Sequence, residues 1–179
     1  MFTITIDDEV KLALIQESFA PHYVELLSTQ KEYLSQWLAW PAFCQAEQDF
    51  RLFAQRMLHE YADGKSMTCA IVYHDKIVGN CSFNTINHDT KCAEVGYWLS
   101  NKHQGKGIVT RVVTKLIDIA FNDLMLEKVQ LSAAKDNLAS RAVAERCGMI
   151  LEGIVTNREK IGERILDHAI YGIHKSNRP

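Results

Sequence analysis

Hydrophobic positions in this chain follow two rhythms. Between residues 20 and 62 apolar side chains recur every three or four positions, the spacing of a helix with one buried face. They are Tyr23, Leu26, Leu27, Tyr33, Leu34 and Trp37, then Phe50, Phe53, Ala54, Met57, Leu58 and Tyr61. Pro21 suits the first turn of the first helix, and the residue before Pro41 is biased away from helix and ends it. Asp63-Gly64 stops the second helix, which starts near Gln45. Elsewhere the apolar residues form short runs between polar turns, at 9–15, 66–74, 77–85, 92–99, 128–134, 154–160 and 164–174, and these predict strands. Gly79 inside the third run marks a bulge or a close backbone approach. Helical spacing returns over about 107–122, where Val109, Val112, Val113, Leu116, Ile117 and Ala120 share one side, and over 138–147, closed by Gly148. The predicted order is β-α-α-β-β-β-α-β-α-β-β. This is an α/β (α+β) fold with four helices and a mostly antiparallel mixed sheet of about seven strands. Its one parallel crossover spans 93–134. With no linker, repeat or low-complexity tract, residues 1–179 read as a single domain.

Composition narrows the partners. The 20 basic and 22 acidic residues give a net charge of -2 without a basic patch, so nucleic acid is not an expected partner. No polybasic run or long apolar run points to a membrane. The five cysteines are scattered and odd in number, with no CxxC pair, which reads as reduced thiols rather than a disulfide framework or zinc site. The acidic start MFTITIDDEV lacks the features of a signal peptide, and the expected location is the cytoplasm. No HExxH or comparable spacing appears, so no metal is expected, and His103 and His168 read as structural.

The stretch that carries chemistry is Ala93 to Thr110. A strand over Val95–Leu99 breaks at Ser100-Asn101, passes through Gln104-Gly105-Lys106-Gly107 and enters a helix. Two glycines let the backbone turn tightly and approach a ligand. The unpaired N–H groups of the first helical turn, aided by the helix dipole, then form an anion site. A phosphate-bearing cofactor is the expected occupant; an ordinary loop before a helix is the bland alternative. The GxxxxGK[ST] frame of a nucleotide P-loop is absent. Lys106 either adds charge there or is solvated.

The loop Gln104-Gly105-Lys106-Gly107-Ile108-Val109-Thr110, the segment Asp136-Asn137-Leu138-Ala139-Ser140 followed by Cys147-Gly148-Met149, and the element order together resemble the GNAT superfamily of N-acetyltransferases. Tyr33-Leu34, Trp37-Leu38-Ala39-Trp40-Pro41, Gly96-Tyr97-Trp98-Leu99, Leu151-Glu152-Gly153 and Asp167-His168 are similar to its ribosomal-protein branch, the RimJ/RimL type. The resemblance implies acetyl-CoA as co-substrate, its pyrophosphate held by the loop amides. It implies central strands that splay, with the pantetheine arm in the gap beside Trp98, Leu99 and Ser100, and Asn137 bonding the same arm while capping a helix. It implies direct attack on the thioester by a protein N-terminal α-amine, that of a ribosomal protein. Glu159 is then the general base, with Glu94 its rival, and Ser140 stabilises or protonates the departing thiolate. A homodimer is left open. The chain departs from the family at Val109, where Gly or Ala is usual, and at Ala144, where many members carry a tyrosine acid. Tyr33, Trp37 and Trp40 read either as core or as the wall of a peptide groove. Two other functions remain: acetylation of a small amine, and a coenzyme A-binding module without turnover.

Overall fold

In a computed structural model describing residues 2–178, the chain builds one eight-stranded sheet. The strands are β1 (Thr3–Thr5), β2 (Val10–Leu14), β3 (Met67–Tyr73), β4 (Lys76–Asn87), β5 (Cys92–Leu99), β6 (Lys128–Ala134), β7 (Ile150–Ile161) and β8 (Arg164–His174). Their spatial order is β1-β2-β3-β4-β5-β6-β8-β7, antiparallel except for the β5–β6 pair. The helices are α1 (Ala20–Leu34), α2 (Glu47–Ala62), α3 (Ile108–Asp118) and α4 (Leu138–Arg146).

Period-two alternation sends successive side chains of a strand to opposite faces, and each face here has its own core. On β3, Cys69 and Ile71 join the cluster under α3 and α4 with Phe83, Val112, Leu116 and Leu131. Ala70 and Val72 join the cluster under α1 and α2 with Tyr23, Leu27, Phe50 and Ala54. The central strands are therefore buried on both sides, and helices cover both faces.

Several boundaries differ from the sequence reading, among them the start of β7, at Ile150 rather than Ile154. Residues 3–5 form an eighth strand, too short to show a pattern of its own and held by pairing with β2. The first helix stops at Leu34 rather than Trp37. The third is regular only to Asp118 and ends in a wider turn over Ile119–Asp123, where the Leu124 N–H reaches back five residues to the Ile119 carbonyl. Among the described residues no helix is long and apolar enough to cross a membrane.

The register between β5 and β6 positions the site. The two strands pair from Cys92↔Lys128 to Val95↔Leu131 and then part. Beyond that point β5 keeps β4 as its neighbour (Trp98↔Asn80), while β6 keeps β8 (Ser132↔Ile170, Ala134↔His168). The sheet opens there as a wedge, leaving peptide groups on its two inner edges without a strand partner.

Candidate active site

The wedge opens into a cavity of about 1620 Å³ that runs from the loop after β5 to a mouth walled by the α1–α2 segment and the β7–β8 hairpin. Trp98, Leu99, Gln104, Gly105, Gly107, Ile108, Val109, Thr110, Asn137, Ser140 and Glu159 all line it. Lys106 does not: its ammonium sits 5.2 Å above the Tyr73 ring and its carbonyl accepts from Arg111.

The loop has the features of an anion cradle. Gly105 (φ +73°) and Gly107 (φ +69°) take left-handed conformations, and a Cβ on either would meet no atom within 4 Å. No side chain caps the first turn of α3, so its N–H groups are free to serve a ligand. Val109 packs into the core beneath α3 while bordering the cavity, which accommodates the branched side chain in place of Gly or Ala. Burial, and then the charges of Lys106, Lys102 and Lys76, push the His103 imidazole below its usual range. Burial disfavours charge of either sign, whereas the three ammonium groups disfavour a cation and favour an anion. The loop is tied to α1: the Asn101 N–H donates to Gln30 Oε1 at 2.8 Å, and the Gln104 amide donates to the Tyr33 hydroxyl.

Further along the wedge, the Ser100 N–H is taken by the Val78 carbonyl at 2.8 Å. Alternation along the strand then turns the Leu99 N–H toward the open side. Asn137 caps α4, its Oδ1 accepting the Ser140 N–H at 3.1 Å. The Ser140 hydroxyl lies 2.7 Å from that of Tyr97. Burial pushes the Tyr97 phenol up to about 12 despite the bond to Ser140, so it stays protonated at neutral pH and can donate. Ala144 is fully buried; a phenol does reach this part of the cavity, but from β5 rather than from α4.

At the mouth, Glu159 follows a stretch of β7 that has lost register with β8, between the pairs Val155↔His168 and Glu159↔Leu166. Its carboxylate lies 3.1 Å from His168 Nε2, and His168 Nδ1 lies 2.7 Å from the Ser132 hydroxyl. Glu94 also lines the cavity and accepts from the Asn84 amide at 3.3 Å. Tyr33, Trp37 and Trp40 border the mouth. Trp40 and Trp98 stand 5.6 Å apart, with Tyr23 and Phe50 packed against them, so these aromatics serve core and wall at once. Tyr97, Ser132 and Asn84 escaped the sequence reading as polar partners. Each sits on a strand whose alternation predicts a face, whereas the partner depends on how the strands splay.

Residues 10–150 match the profile of the acetyltransferase (GNAT) domain family. The ribosomal-protein-serine acetyltransferase of Escherichia coli (strain K12) is 32% identical over 169 residues, which cover 94% of each chain. Among solved structures, the microcin C7 self-immunity acetyltransferase MccE, in complex with acetyl-CoA and AMP, is 33% identical. It superposes with a TM-score of 0.91 over 96% of this chain and 95% of that one. RimL, the ribosomal L7/L12 α-N-protein acetyltransferase, in complex with coenzyme A, is 26% identical, with a TM-score of 0.94 over 99% and 100% of the two chains.

Proposed function

This chain belongs to the GNAT acetyltransferase family, and from that premise we propose that it transfers acetyl from acetyl-CoA to the N-terminal α-amine of a protein, a ribosomal protein foremost. The observation that carries this reading is one continuous cavity joining the anion loop, the open strand edges and an aromatic mouth that ends at a carboxylate. A ribosomal acceptor would place the enzyme in the cytoplasm.

Acetyl-CoA supplies an activated thioester carbonyl. The N–H groups of Gly107, Ile108, Val109 and Thr110 bind its pyrophosphate. The inner edge of β5 and the Asn137 amide hold the pantetheine arm, whose amides satisfy peptide groups that would otherwise stay unpaired. The Leu99 N–H polarises the carbonyl oxygen. An α-amine has an unperturbed pKa near 8, so a fraction is neutral at pH 7 and the base has only one proton to collect. Its nitrogen attacks the carbonyl carbon, the C–S bond breaks, and the nitrogen's proton passes to the Glu159 carboxylate. The Ser140 hydroxyl, backed by Tyr97, donates a hydrogen bond to the departing thiolate.

A second reading is a small amine carrying a flat ring. The Trp40–Trp98 face and the AMP bound by the 33%-identical MccE stand behind it. Thiol release from acetyl-CoA, measured with peptides that begin with free serine and with polyamines, amino acids and aminoacyl nucleotides, separates the two. The peptide reading expects the highest kcat/KM on a peptide; a small amine turned over faster than every peptide overturns it.

A further inference from the structure

His168 is unused by the mechanism above, yet it stands at its centre. It lies on β8 opposite Ala134 of β6 and Val155 of β7 and borders the cavity. Only 12% of its side chain is exposed, and Nε2 is sealed from solvent. The 3.1 Å approach of Nε2 to the Glu159 carboxylate is an ion pair by distance but misses the geometry of a well-formed hydrogen bond. The other nitrogen, Nδ1, meets the Ser132 hydroxyl on the part of β6 that β5 has left.

These two neighbours fix the state of the ring. An ionised carboxylate offers only lone pairs, so the nitrogen facing it carries a hydrogen. In the neutral ring Ser132 donates to Nδ1, and in the imidazolium it accepts from Nδ1. In both states Nε2, the nitrogen 3.1 Å from the Glu159 carboxylate, carries a hydrogen.

Glu159 needs such a holder. It sits on the edge strand just past a stretch where β7 and β8 lose register, with Asn157 in a left-handed conformation (φ +52°) and its N–H taken by the Asp167 carboxylate at 3.0 Å. Neighbouring Arg158 is exposed, and Lys160 pairs with Glu163. The polar contact of the Glu159 carboxylate is the His168 ring. A glutamate left free in such a place would spread over several rotamers, and small misplacements of a catalytic group are costly in rate.

We propose that Ser132 and His168 are positioning residues that aim the Glu159 carboxylate at the acceptor nitrogen, an inference that rests on Glu159 being the base. As the N–C bond forms, the nitrogen's proton moves to the free oxygen of Glu159. The other oxygen stays held by Nε2–H, and Glu159 passes its proton to water after release.

The test is a double-mutant cycle on the acceptor that turns over fastest in the panel above, with acetyl-CoA affinity measured in parallel. His168→Ala lowers kcat by about tenfold or more through lost orientation, with Kd for acetyl-CoA within about twofold. In the Glu159→Gln background the same substitution adds almost nothing, because a residue that acts through another has no effect once that one is gone. His168→Gln keeps an N–H donor and recovers part of the lost kcat; it also serves if the alanine variant fails to fold. Losses that multiply in the double variant, or an unchanged kcat in His168→Ala, overturn this role and leave Glu159 as base. A Glu159→Gln enzyme with wild-type kcat removes the base itself. Independently of turnover, nitrogen-15 spectra of the imidazole find the hydrogen on Nε2; a ring protonated on Nδ1 alone overturns the inference.

Discussion

Gly107 borders the cavity, and a side chain introduced there has open space. Gly107 has φ +69° and nothing within 4 Å of where a Cβ would stand, so a substituent meets ligand space rather than protein. The left-handed backbone costs an L-residue about 1–2 kcal/mol, a modest loss of stability. Gly107→Val therefore lowers acetyl-CoA affinity at least about tenfold, the equivalent of about 1.4 kcal/mol, while the thermal midpoint falls only slightly; titration calorimetry with unchanged Kd would remove the loop as the phosphate site. Glu159→Gln keeps the shape of the side chain and removes its basicity. It lowers kcat by about a hundredfold or more and leaves Kd for acetyl-CoA where it was; equal steady-state rates for the two enzymes would return Glu159 to the surface charges. The loop was legible because its signal is local, a glutamine and two glycines within four positions before a helix. The neighbours of the proposed base were not. Ser132 and His168 lie 36 residues apart and Tyr97 and Ser140 lie 43 apart, and only the splayed sheet brings each pair together.

At the scale of elements, β4 and β5 come close together at Gly79. A Cβ there would sit 2.3 Å from the Trp98 carbonyl oxygen and 3.0 Å from the Leu99 Cα, both backbone atoms of the splayed end of β5. Neither can swing aside as a side chain can. Gly79→Ala pushes β5 off its neighbour and costs about 2–3 kcal/mol by overpacking, seen as a lower urea midpoint; an unchanged midpoint would mean that the strands part easily. The start of α2 depends on Asp49, which accepts the N–H groups of Ala46 at 2.8 Å and Gln45 at 2.9 Å. Those bonds hold its carboxyl below the usual carboxylate range. A folded-state pKa lowered in this way adds stability that is full above the unfolded value of about 3.9 and fades as pH falls through the folded one. Asp49→Ala therefore melts below the wild type at pH 7, and the gap narrows as pH drops below about 4; a gap independent of pH points to packing instead. Helical spacing and turn residues revealed α1 to α4 and most strands. Two features stayed hidden for physical reasons. Thr3–Thr5 has no rhythm and exists through its pairing with β2, and Ile150 at the start of β7 gains its strand partner from Gly172.

Across the whole molecule, α1 couples the two ends of the cavity. On one side Gln30 and Tyr33 bind the loop through Asn101 and Gln104. On the other, Arg164 at the start of β8 donates to the Ser35 carbonyl at 3.1 Å and the Gln36 carbonyl at 2.8 Å, just past the last turn of α1. The β7–β8 hairpin carries Glu159, and the segment after α1 carries Trp37 and Trp40, so this guanidinium spans the two walls of the cavity mouth. The sequence offered Tyr33, Trp37 and Trp40 as core or as one groove wall and did not name the β7–β8 hairpin as the other; bonds between residues 128 and 129 positions apart could not be inferred from spacing. Removing it should disturb one substrate only, because α1 stays tied to the loop by Gln30 and Tyr33. Arg164→Ala raises KM for a peptide acceptor several-fold, in keeping with the loss of charge-assisted hydrogen bonds at an exposed position, and leaves Kd for acetyl-CoA within about twofold. Both bonds leave one nitrogen, Nη2, and an ammonium also offers several hydrogens from one nitrogen, so Arg164→Lys reverses part of the rise in KM. Steady-state kinetics with each substrate varied in turn decides the matter: an acceptor KM that does not move shows that the mouth holds its width without the clamp, and a parallel loss of acetyl-CoA affinity shows that the two ends of α1 move as one body.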